Sequence, residues 1–275
     1  SKASTPIEVV DMGLRGFTRK IGILKDYNAN FQCGQCHNAA NRYLTYKWLK
    51  DDKPVRPEDL QKAGVSPYAT EFFKDPLESW AWFKAKGWHQ GVNGTTGVHY
   101  VNGSDHPHVE IMLQSKHGQA GVTCTDCHFA RKADGKAEHQ PSLVKLKVEN
   151  TCMRSACHGP GSKSNWTDPG QALYTIEAIQ QEYRIRVQKM EMAAKDAQRI
   201  FMKLKAGEAS LPQEVKEKLE TAYEKYLSAR DWYLTDLSSG FHDPEGFNRT
   251  VSVVTWELRK TNAAAQGALK KTPVK

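Results

Sequence analysis

No histidine precedes residue 37, and no cysteine stands outside three short runs. No stretch approaches the roughly 18 consecutive apolar residues of a membrane-spanning helix. The opening Ser1-Lys-Ala-Ser-Thr-Pro6 has neither the apolar core nor the cleavage pattern of an export signal, so the chain reads as a mature or trimmed form. Strand-like alternation is scarce; the run from Leu143 to Val148 shows it and is expected to be an extended connection. Apolar residues make up 39% of the chain and mean hydropathy is −0.65, a thin core for 275 residues that bound cofactors would supplement. The lysines are scattered without interleaved aromatics, which excludes a nucleic-acid-binding reading.

What the chain does have is six cysteines in three pairs, each followed directly by histidine. The runs are Cys33-Gly-Gln-Cys36-His37, Cys124-Thr-Asp-Cys127-His128 and Cys152-Met-Arg-Ser-Ala-Cys157-His158. Two sulfurs for thioether bonds and one imidazole for iron is the requirement of covalent c-type haem attachment. The third run carries four intervening residues instead of two, yet the same reading leaves no orphan thiol. A zinc ribbon needs its cysteine pairs about 15–20 residues apart, whereas residues 37–123 separate the first two pairs here. Disulfides between such close cysteines would staple little and would not account for the histidines. Three haem c groups are expected, held by Cys33, Cys36, Cys124, Cys127, Cys152 and Cys157, with His37, His128 and His158 as iron ligands.

The formal charge of +8 falls to about +5 once three ferric haems with their propionates are counted. The surface stays basic, which points to acidic redox partner proteins or an anionic membrane surface. Between residues 51 and 110, Pro54, Pro57, Pro67, Pro76, Gly91, Gly94, Gly97 and Gly103 predict short helices and long loops, with Trp80, Trp82 and Trp88 as haem-pocket packing. Asp168-Pro169 reads as an N-cap and first helical residue with Gly207 as the stop, and Tyr183, Val187, Met190, Ala194, Ala197, Phe201 and Leu204 advance as a coiled-coil seam. A second helix is expected from Ser210 to Ser239 with Leu219, Ala222, Tyr226, Ala229 and Tyr233 on one face, stopped by Gly240. A third is expected from Pro244 to Ala265 with Phe247, Val251, Val254 and Leu258 inward. Such stripes serve a core or an interface with a second subunit.

Removing the three attachment histidines from the ten in the chain leaves His89, His99, His106, His108, His117, His139 and His242 as candidates for distal ligands. Spacing alone does not choose among them. Asp105-His106-Pro107, then His117, the run to Cys124-Thr-Asp-Cys127-His128, His139, and Gly240-Phe-His242-Asp-Pro-Glu together resemble the C-terminal half of the pentahaem cytochrome c nitrite reductases. The likeness spans about residues 100–260 and includes the two long helices before His242. It implies that His117 caps the haem at Cys152, Cys157 and His158, and that His242 caps the haem at Cys124, Cys127 and His128. The first site, with Tyr43 beyond it, looks like that family's third haem.

The same resemblance implies a loss. The family's first two haems are missing, among them the one where nitrite binds, which is attached through a motif ending in lysine that this chain lacks, so the catalytic iron is gone. Positions of the family's calcium ligands fall on Ala39 and Ala40, and its Lys-x-Gln before the active-site histidine reads Gly103-Ser-Asp105. The substrate-pocket histidine maps to His106. The family's ligand for the haem resembling the first site lies upstream, where this chain has no histidine. Its distal ligand is therefore expected from downstream or from another subunit, with His99 preferred because Gly97 and Gly103 flank it and His139 as the main competitor; His89, His106 and His108 also remain.

The fold class expected is mostly α, a multihaem cytochrome c with haem-wrapping loops and a C-terminal long-helix bundle. Residues 1–165 form the triple-haem-binding region, 166–265 the long antiparallel helices that supply a distal ligand and an assembly surface, and 266–275 a flexible tail. Function follows as electron transfer through low-spin haems in a respiratory chain or an extracytoplasmic complex, in the periplasm or otherwise outside the cytoplasm, in an oligomer or a larger cytochrome assembly. The alternative is an oxidoreductase acting on nitrite, hydroxylamine or a sulfur oxyanion at an open first haem, with Asp105 and His106 moving protons. A docking subunit that uses its haems as staples is a third class.

Overall fold

The computed structural model describes residues 7–11, 20–24, 29–34, 37, 48–51, 53–56, 59, 62, 73–101, 106–129, 136 and 141–271. Cys36, Ala39, Ala40, Tyr43, Pro57, Pro67, Gly103, Asp105 and His139 lie outside them. The fold is mostly helical. Strands β1 (Ile7–Asp11) and β2 (Lys20–Leu24) pair antiparallel, and β3 (Leu49–Lys50) pairs with both β4 (Lys53–Pro54) and β5 (Trp88–His89).

Short helices make up the part before residue 141: α1 (Asn30–Gly34), α2 (Pro76–Ala85), α3 (His108–Gln114), α4 (Lys116–Gln119) and α5 (Cys124–His128). Each has a local cause. Asp75 caps α2 by accepting from the Leu77 and Glu78 amides, with Pro76 at the first helical position. Thr123 and Asp126 close a capping box on α5. The expected extended run at 143–148 is instead a 3-10 helix, Pro141–Lys147, after which Val148 is buried with Ala172 and Ile176. That contact selects a tight helical turn over the alternation of the side chains.

Three long helices form the rest: α6 (Pro169–Lys205), α7 (Gln213–Leu234) and α8 (Pro244–Lys271). Asp168 caps α6 through the Gly170 amide, and Gly207 ends it at φ 72°. Helices α6 and α7 run antiparallel, as the Tyr183 hydroxyl donating to Tyr233 O and the Tyr226 hydroxyl donating to Glu191 Oε2 require. Helix α8 runs parallel to α6, because Arg186 reaches Ser252 and the Asn262 side-chain amide reaches Ala193 O. The seam residues Met190, Ala197, Leu219, Ala229, Val254 and Leu258 are fully buried. The stripes therefore pack helix on helix within one chain.

One expectation changes here. Helix α8 does not stop at Ala265 but continues to Lys271, because Ala265 and Leu269 still pack on the core and no proline intervenes before residue 273. Trp80, Trp82 and Trp88 pack in an aromatic cluster with Trp48, Phe73 and Phe83, and Trp80 Nε1 donates to Glu224 on α7 at 3.3 Å. They join the α2 layer to the bundle.

Candidate haem-binding site

The attachment runs, distant in sequence, meet in space. The Cys124 amide donates to Asn30 Oδ1 at 2.8 Å, which ties α5 to α1, and the Val109 amide donates to His37 O at 3.2 Å, which ties His37 to α3. Asp126 between the second pair of cysteines faces Arg154 between the third at 3.4 Å. The longer third run folds into turns in which the His158 amide donates to Cys152 O at 3.0 Å, so the extra residues loop out without moving the histidine away. A Cβ at Gly159 would collide with Met153 O, which makes glycine obligatory after this histidine.

No disulfide joins the described cysteines. Burial, reinforced by the adjacent Cys33 sulfur, pushes the Cys124 thiol up to about 12, and burial with Cys152 nearby pushes Cys127 up to about 11. Both sulfurs are therefore held against apolar surface and are poor thiolates.

Each attachment histidine has another imidazole beside it, His37 has two, and His108 also lies 5.6 Å from His242. Ring centroids are 5.9 Å apart for His117 and His158, 6.1 Å for His128 and His242, and 5.7 Å for His37 and His106. A metal about 2.0–2.1 Å from each of two opposed imidazole nitrogens sets the centroids roughly 6.3 Å apart. The residues present thus fit a bis-histidine iron at each attachment run. Burial first, then neighbouring histidines, holds His37 and His117 below the ordinary imidazole range, so these rings are the neutral donors that a metal requires.

His106 has further marks of a ligand. Its Nδ1 is buried without a hydrogen-bond partner, and its backbone sits at φ 64°, a left-handed conformation that favours glycine. His108 has a different geometry. Its Nδ1 is 3.0 Å from His37 Nδ1, a hydrogen-bond distance, where trans ligands need roughly 4 Å between nitrogens. Burial and His242 push His108 down to about 4 against the pull of Asp236. His99 stacks on His89 at 4.5 Å and bridges to Val92, so the structure brings His106 and His108, rather than His99, to the ring of His37.

Sequence reasoning missed the partners of these rings. Trp166 stacks on His158 at 4.6 Å, and the Ser164 hydroxyl lies 2.9 Å from its Nδ1. Asp236, between α7 and His242, has its Oδ1 2.9 Å from His242 Nδ1. Burial alone would raise the Asp236 carboxyl, but hydrogen bonds from His242 and Ser238 outweigh it and hold the group below the usual carboxylate range. The only sequence signal is a polar Asp-Leu-Ser-Ser-Gly turn before the histidine.

The family model described as cytochrome c552 matches residues 25–275. Among curated proteins, the chain is 28% identical over 138 residues to a cytochrome c-552 of Bacteroides thetaiotaomicron, covering 46% of this chain and 22% of that protein. It is 23% identical over 223 residues to the cytochrome c nitrite reductase subunit NrfA of Nitratidesulfovibrio vulgaris, covering 77% of this chain and 40% of that one. The solved cytochrome c nitrite reductase of Desulfovibrio desulfuricans superposes with a TM-score of 0.62 at 17% identity, over 88% of this chain and 48% of that chain. That likeness is one of fold. The chain spans less than half the length of these relatives.

Proposed function

Because the chain belongs to the cytochrome c552 family and so binds haem c covalently, we propose that it passes electrons through three bis-histidine haems. Covalent haem c supplies a one-electron iron couple; the protein supplies ligands, spacing and electrostatics. The observation that carries the reading is the set of three ring pairs, each setting an attachment histidine beside another histidine at 5.7, 5.9 and 6.1 Å. In this reading His158 is opposed by His117, His128 by His242 and His37 by His106. Closure of the third pair leaves no iron open to an oxyanion. It also gives the ring equivalent to the family's substrate-pocket histidine a structural task.

Three low-spin sites in one helical frame imply low potentials and rapid exchange between neighbours. No described helix is long and apolar enough to cross a membrane. With a basic surface, the chain would meet an acidic redox protein outside the cytoplasm, in the periplasm or in a larger cytochrome complex. Intact mass and peptide mapping of the holoprotein should show three haems, one between Cys152 and Cys157. Electron paramagnetic resonance should show three low-spin irons unaffected by nitrite. Two haems with a disulfide at 152 and 157, or a high-spin iron that binds nitrite, would overturn the reading.

A further inference from the structure

Asp236 is buried, with its side chain 1% exposed, and it has gathered donors from every side. Its Oδ1 takes the Ser238 amide at 3.1 Å, and its Oδ2 takes the Ser238 hydroxyl at 2.6 Å and the Gly240 amide at 3.3 Å. His242 is pinned from both ends, since its own amide donates to Ser238 Oγ at 3.0 Å while its Nδ1 meets Asp236 Oδ1 at 2.9 Å. A carboxylate only accepts, so Nδ1 must carry the proton and Nε2 must keep the lone pair. The opposed ring of His128 stands 6.1 Å away. The nitrogen freed by this bond is the one available to iron.

We propose that the Asp236 carboxylate, through its hydrogen bond to His242, orients that ring and lowers the reduction potential of the haem held by Cys124, Cys127 and His128. The inference rests on the reading of His242 as the distal ligand of that haem. Its physical ground is that a carboxylate pulling on Nδ1–H gives the imidazole more anionic character, and the stronger donor stabilises ferric over ferrous iron. A negative charge sealed from water near the iron acts in the same direction, and burial leaves it little screened. The contrast within the molecule is His158, whose Nδ1 meets the hydroxyl of the exposed Ser164, a neutral partner. Asp236 also faces a second ring, His108 Nε2 at 3.9 Å, which passes contact on to His37 at 3.0 Å, so a smaller effect on the first haem is part of the same geometry.

The test is Asp236→Asn in the holoprotein, followed by spectroelectrochemical titration with paramagnetic resonance at each poised potential. The amide oxygen still accepts from Nδ1, so the iron stays low-spin, while the charge is gone. At a fixed applied potential the ferrous-to-ferric ratio of one haem should rise about tenfold, equal to 59 mV for a one-electron couple. His242→Met run beside it marks which transition belongs to that haem. If His242→Met alters one haem and Asp236→Asn moves that same transition less than twofold, or moves all three equally, the proposal fails while the ligand assignment stands. If His242→Met alters none, the ligand assignment itself is wrong. Should Asp236→Asn not mature, the parent protein decides: at a fixed applied potential the haem that His242→Met identifies should be about tenfold more ferric than the haem that His117→Met identifies, whose His158 meets only a neutral hydroxyl, and an equal or reversed ratio refutes the proposal.

Discussion

Replacing His106 by glycine would remove a ring 5.7 Å from that of His37 and would also relax a backbone held at φ 64°. The two effects separate by size. A non-glycine residue in the left-handed region costs about 1–2 kcal/mol, less for histidine than for most, and glycine returns about 0.4–1 kcal/mol through the freer unfolded chain. The net change in fold stability from backbone terms is therefore within about 1 kcal/mol of zero. The change at iron is much larger, because one site of three loses its sixth ligand and about one third of total iron should become high-spin. His106→Ala should produce the same spectral fraction while keeping the strain, so it should unfold at slightly lower denaturant than His106→Gly. The assay is the ferric charge-transfer band and the integrated high-spin resonance, with helical circular dichroism against denaturant beside them. If His106→Gly keeps all three irons low-spin while His99→Ala or His139→Ala creates the high-spin species, the ring-pair reasoning is wrong at the first haem.

Replacing His117 by Met should raise the potential of one haem only and leave the other two spectra unchanged, since thioether favours ferrous iron; redox titration reads it. Glu224, with its side chain 4% exposed, accepts from Lys84 Nζ at 2.6 and 2.8 Å, so Lys84→Met should strand a buried carboxylate and cost about 2–4 kcal/mol in denaturant unfolding. Adding Glu224→Leu should recover most of that loss, and simple additivity of the two would refute the buried-charge explanation. A Cβ at Gly240 would sit 2.8 Å from Tyr183 Cδ2, at a residue with φ 81°. Gly240→Ala should cost about 1–3 kcal/mol and broaden the signal of the haem opposed by His242, because the strain is placed two residues before the ligand.

The haem-attachment runs were legible because that chemistry is local: two sulfurs and an imidazole must be neighbours along the chain to grip one macrocycle. The long helices were equally plain, since a 3.6-residue repeat and a capping aspartate act within a few residues, and Tyr183, Met190, Ala194, Ala197, Phe201 and the stripe from Phe247 to Leu258 are buried where their spacing requires. His117 and His242 entered through a resemblance, and the fold sets their rings 5.9 and 6.1 Å from those of His158 and His128. That the rings of His106 and His108 lie beside His37 was not legible, because these residues meet only after α1 packs on α3, and loop composition around His99 says how far a side chain can reach but not in which direction. Nor was the placement of the tryptophans against α7, or the turn at 141–147, where burial of Val148 overrides an alternating pattern. Asp236 carries no motif at all; its charge becomes meaningful only when the chain after α7 turns back and sets His242 against it in a place that water does not reach.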